Sequence, residues 1–151
     1  MDRLFNSTFE NSLRLLILLD EYDMPQTLDK LYVVDFMSLY SASLGVNDQN
    51  LNGDNEYKFS VFASHRGSVK EALRELVLNG TAQAVNYNSG LAYIITPEGE
   101  DFCKSLSSGY AKEYRENARA VIKTIANQSE RELISAIYKL SAKSFHGEDN
   151  Q

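Results

Sequence analysis

The chain of 151 residues holds 43% hydrophobic and 24% charged residues, which is room and composition for one soluble domain with a buried core and excludes a wholly disordered or collagen-like chain. Its one cysteine, Cys103, cannot close an internal disulfide, and the longest clean apolar run, Leu15 to Leu19, is too short to span a bilayer. The amino terminus, MDRLFNST, has no signal-peptide pattern, so a cytoplasmic location with no membrane contact is expected. The net charge of −6 falls entirely on residues 1–60; residues 61–151 hold eleven charges of each sign. Phosphates would be repelled by the first part, so any nucleic-acid contact should come from the second.

Ser7 and Glu10 fit a capping box, and Phe9, Leu13, Leu16 and Ile17 keep helical spacing, which predicts a helix over 8–22 that Pro25 terminates. Thr27 is a good N-cap for a second helix over 28–43, whose repeat runs through Leu28, Leu31, Tyr32, Asp35, Phe36 and Leu39 to Tyr40. Residues 45–57 are rich in Asn, Asp and Gly and read as a long loop. A third helix is expected from Ser60 to Asn79-Gly80, with Val69, Leu73, Leu76 and Val77 on its apolar face. Strands over 82–87 and 91–96 enclose the turn Asn88-Ser89-Gly90. Thr96-Pro97-Glu98 opens a helix to about Leu106, a longer helix covers 110–126, and a capping box at Ser129 and Glu132 opens a last one over 130–144.

The order helix, helix, helix, hairpin predicts a mainly α (α+β) fold, a winged helix-turn-helix with a two-stranded wing and additional C-terminal helices. Residues 1–106 would form the winged-helix domain, 107–145 a helical extension packed on it, and 146–151 a flexible tail.

Signatures of catalysis are missing from the residues. There is no histidine pair at zinc-ligand spacing and no glycine-rich phosphate loop. Cys103, beside Phe102 and three residues before Leu106 on an apolar helical face, reads as a core filler. Residues 48–53 copy the first half of a calcium loop, but its twelfth position is Phe59 where a bidentate glutamate is needed, so neither metal nor cofactor is expected. Two basic stripes stand out. Arg66, Lys70 and Arg74 recur at a spacing of four, and Lys112, Arg115, Arg119 and Lys123 fall within about 80° of a helical wheel. A cationic row on a rigid helix can track phosphates, pair with an acidic partner or simply face solvent. The hairpin from Thr81 to Thr96 carries no Lys or Arg, and its Tyr87 and Tyr93 suit a wing that meets protein.

The runs Leu15 to Tyr22, Thr27 to Leu31 and Val34-Asp35-Phe36, the loop Leu51 to Tyr57, the helix Arg66 to Gly80, the segment Ile95 to Gly99, and Tyr110-Ala111 with Tyr114-Arg115 come in a characteristic order. Over about residues 4–125 this order resembles the middle component of bacterial ABC three-component defence systems. In the loop the sequence departs from the family pattern, with Asn and Gly where a His and a small residue or Pro are expected.

The resemblance implies a non-catalytic winged-helix subunit that links an SMC-like ABC ATPase to an effector, often a nuclease, in Lamassu-type antiphage systems. The partner-binding candidates are then Asp54, Asn55 and Tyr57 in the loop and Tyr87 and Tyr93 in the wing. The basic stripes would add non-specific contact with double-stranded DNA. Replacing Lys112, Arg115 and Arg119 by Glu should in that case abolish DNA contact and leave the fold intact. The alternative is a stand-alone winged-helix transcriptional regulator, dimeric through its last helices, with Arg66, Lys70 and Arg74 in the major groove.

Overall fold

The computed structural model describes residues 7–40, 55–136, 138 and 139, with backbone alone for 55–63. Its elements are α1 (Thr8–Glu21), α2 (Leu28–Leu39), α3 (Asn55–Leu78), β1 (Ala82–Tyr87), β2 (Gly90–Ile95), α4 (Pro97–Lys104), α5 (Gly109–Thr124) and α6 (130–136). This is the expected mainly helical α+β arrangement, winged-helix-like in its order of three helices and a hairpin.

α1 is the central helix. Leu15, Leu16, Ile17, Leu18 and Leu19 are each no more than 2% exposed, so apolar side chains project in all directions rather than along one stripe. They meet α2, α3, α4, α5 and β2 on successive sides. Burying each such side chain stabilises the fold by about 1.5–3 kcal/mol before conformational entropy is counted. Ser7 caps the helix by accepting from the Glu10 amide.

The local signals set the remaining boundaries. Thr27 caps α2 by accepting from the Lys30 amide, and its hydroxyl also donates to Glu130 at the start of α6. α2 ends at Leu39 rather than 43, because Tyr40 leaves helical geometry at φ −121° and ψ 32°. α3 begins at Asn55, five residues before the expected start. No glycine or proline interrupts 55–66, and Glu56 in the first turn suits the positive end of the helix dipole. Of the expected 45–57 loop, residues 45–54 lie outside the described residues; so do the half calcium loop at 48–53 and the tail at 146–151.

α3 closes with two backbone bonds, Gly80 N–H to Val77 O and Thr81 N–H to Leu76 O, around Gly80 at φ +83°. This is the Schellman geometry, and the left-handed φ suits glycine. β1 and β2 pair antiparallel with Tyr87 opposite Gly90, so the turn is the two residues Asn88 and Ser89, both at positive φ. That conformation matches the strand twist but strains a serine. Ser89→Gly should therefore raise stability by about 0.5 kcal/mol, measurable as a higher urea midpoint.

The hairpin is anchored to the helices at both ends. Gln26 pairs with Tyr93 through two backbone bonds of 2.9 and 2.8 Å, which covers part of the outer edge of β2. Thr96 accepts from the Gly99 amide, as expected of an N-cap, and donates to Gly80 O. α5 packs its expected face, Ala111, Tyr114, Ala118 and Val121, onto α2 and α1. The Ser129–Glu132 capping box forms in both directions, and Leu133 enters the core.

Candidate functional site

Asp35 lies on the apolar repeat of α2 and has 0% of its side chain exposed. A carboxylate there must be fully hydrogen-bonded to be tolerated. Arg14 of α1 supplies a two-pronged contact, Nε to Oδ1 at 2.9 Å and Nη2 to Oδ2 at 3.2 Å. The Tyr114 hydroxyl of α5 donates to Oδ1 at 2.6 Å, and His65 Nε2 of α3 lies 2.7 Å from Oδ2. An ionised carboxylate only accepts, so the ring nitrogen of His65 donates. Arg14 also donates to Asn11. One carboxylate thus ties α1, α2, α3 and α5 together.

The electrostatics follow from that enclosure. Burial alone would raise the Asp35 carboxyl, but the Arg14 charge and the hydrogen bonds from His65 and Arg14 outweigh it and hold the group well below the usual carboxylate range. Burial likewise opposes the Arg14 charge, and Asp35 more than restores it. The Tyr114 hydroxyl is pushed far up, first by burial and then by the neighbouring Asp35 charge. Cys103 is 5% exposed with Sγ 3.8 Å from Leu16 O, and burial, aided by the Asp20 charge, pushes its thiol up to about 11. A thiol in that state is a poor nucleophile.

The basic stripes differ in their partners. Arg115 bonds Asp20 at 2.9 Å and also Glu21, and Arg119 bonds Glu21 at 2.8 Å. The acidic end of α1 therefore holds the middle of the α5 stripe, Arg115 and Arg119, in ion pairs within the chain. Arg66 pairs with Asp29 at 2.7 Å. Lys70, Arg74, Lys112 and Lys123 are exposed and have no ion-pair partner among the described residues.

Replacing Lys112, Arg115 and Arg119 by Glu would set new carboxylates against Asp20 and Glu21, so that change cannot leave the fold untouched. Glu21→Gln tests the pairing more gently. It should lower stability by about 1 kcal/mol at low salt, with the difference from the parent shrinking in about 1 M NaCl, as chemical denaturation by urea would record.

The wing candidates also separate. Tyr87 is 39% exposed, whereas Tyr93 is 9% exposed and sits in the core beneath the Gln26 bridge, so Tyr93 is corrected from a contact residue to a packing residue. Asn55 and Tyr57 fall in the first turn of α3 rather than in a loop, and Asp54 lies outside the described residues. The Arg14–Asp35–His65–Tyr114 cluster was not anticipated from the sequence, although an aspartate on an apolar repeat was a visible signal.

Fold and charge placement define a small, mainly helical α+β chain of winged-helix-like order whose cationic stripes are partly held by its own acids. Residues 4–147 match the family described as ABC-three component (ABC-3C) system Middle Component 2, and the chain belongs to that family. The family is one component of a multi-protein system. No match was found among curated proteins or among solved structures. Among the described residues no helix is long and apolar enough to cross a membrane, and no cluster of three or more His, Cys, Asp or Glu could hold a metal ion.

Proposed function

We propose that the chain is a non-catalytic linking subunit of an antiphage assembly of Lamassu type, holding an effector, such as a nuclease, to an SMC-like ABC ATPase. Membership in the middle-component family supports the assembly. The observation that carries the linking role is the internal neutralisation of Arg66, Arg115 and Arg119 together with the lack of Lys and Arg in the hairpin. A wing that touches phosphate usually carries at least one Lys or Arg. Here Lys70, Arg74, Lys112 and Lys123 remain for auxiliary, non-specific contact with double-stranded DNA.

The test is co-expression of the chain with the ATPase and effector of its own system. A stoichiometric complex that survives gel filtration in about 0.3 M salt, together with duplex binding that weakens steeply over the same salt range, is the expected result. A chain that elutes alone as a dimer and selects one operator sequence over competitor DNA would establish the regulator instead.

A further inference from the structure

The outward side of α1 bears two hollows that share Leu13, one of mixed polar and apolar lining and one predominantly apolar. The mixed one, of about 470 Å³, lies between α1, the end of α3 and α4, with Phe9, Leu16, Leu76 and Phe102 on its walls beside the polar Ser12 and Asn79. The other, of about 360 Å³, lies between α1 and the α4–α5 connection, with Ile17, Leu106 and Tyr110. Phe9 is 64% exposed and Phe102 41%, large apolar area for a surface without a partner.

Apart from Arg14, the charged residues that line the hollows are acidic. Glu71 and Glu75 line the first and Glu10 the second, and none has an ion-pair partner among the described residues. Glu71 and Glu75 stand four apart on one helix, where like charges repel. The one lining cation, Arg14, is buried against Asp35.

The occupant must therefore bring apolar side chains and positive charge together. A second copy would oppose this acidic rim with the same rim. The segments of this chain outside the described residues cannot supply the charge: 41–54 has no Lys or Arg, 140–151 sets Lys143 against Glu148 and Asp149, and 1–6 sets Arg3 against Asp2.

We infer that this double groove seats a cationic amphipathic helix of another component of the assembly, with apolar anchors on either side of Leu13 and lysines or arginines facing Glu10, Glu71 and Glu75. The inference rests on the linking role proposed above and names the surface and partner chemistry for it.

The experiment uses the full chain co-expressed with the other two components. Phe9→Glu and the double change Glu71→Lys/Glu75→Lys lie on exposed positions and should leave the thermal midpoint unchanged while weakening association at least about tenfold. The isosteric pair Glu71→Gln/Glu75→Gln should weaken it less, about threefold. A photo-crosslinking residue in place of Phe9 should join a segment of a partner rich in Lys and Arg. Unchanged association in all three variants overturns the inference while leaving the linking role standing, and so does a crosslink to another copy or to residues 140–151 of the same chain. Failure of the unaltered chain to bind either component overturns both.

Discussion

Asp35→Ala is expected to destabilise the fold by about 3–5 kcal/mol, because it strands the Arg14 guanidinium, 1% exposed, without its counter-charge. The His65 and Tyr114 donors lose their acceptor in the same step. That loss is a large part of the 5–15 kcal/mol typical of a domain, so part of the population should be unfolded at 37 °C. Arg14→Met combined with Asp35→Leu should be less damaging than Asp35→Ala, since it removes both charges and fills the space with apolar atoms. Urea denaturation of the three proteins measures this, and a cost below about 1 kcal/mol for Asp35→Ala would rule out the role assigned to the cluster.

The same carboxylate makes stability pH-dependent in a definite direction. Its folded-state affinity for protons is depressed, so the unfolded chain binds the proton first as pH falls. The stabilisation is fully present above about pH 5 and is lost progressively through and below roughly pH 4. Asp35→Asn removes the titrating group, so its remaining stability should fall less steeply over that interval than the parent's.

Gly99→Ala should cost about 3 kcal/mol. A Cβ at Gly99 would collide with Thr81 O and stand 2.7 Å from Ile95 Cγ1, so backbone as well as side chain obstructs it. The first turn of α4 can lie on the base of the hairpin because this residue has no side chain. Gly67 in α3 is the control: nothing lies within 4 Å of its Cβ position, and Gly67→Ala should stabilise the fold by about 0.5–1 kcal/mol. Opposite shifts of the thermal midpoint are expected, and equal shifts would contradict the packing described.

What the sequence made legible was local. Ser7, Thr27, Thr96 and Ser129 mark helix starts through bonds to amides three residues on, and Asn79-Gly80 marks a helix end, so each boundary needs only a few neighbouring residues. The hairpin is legible from the turn Asn88-Ser89-Gly90 and the short strands that flank it. The start of α3 is hidden in the sequence because the polar loop composition runs on to Tyr57, while no Gly or Pro between Gly53 and Gly67 stops the helix from extending toward its N-terminus.

The partnerships that decide the surface were not local. Arg14, His65 and Tyr114 reach Asp35 from 21, 30 and 79 residues away, and Arg115 reaches Glu21 from 94. Helical periodicity places Arg115 and Arg119 on one side of α5 correctly, but it carries no information about which element faces that side. The stripe could therefore be found from the sequence, and its acidic partner on α1 could not.

The linking role is tested most directly by purifying the tagged ATPase component from cells that carry the effector, with and without this chain. The account predicts that the effector is recovered with the ATPase only when the chain is present. Equal recovery of the effector in its absence would contradict it.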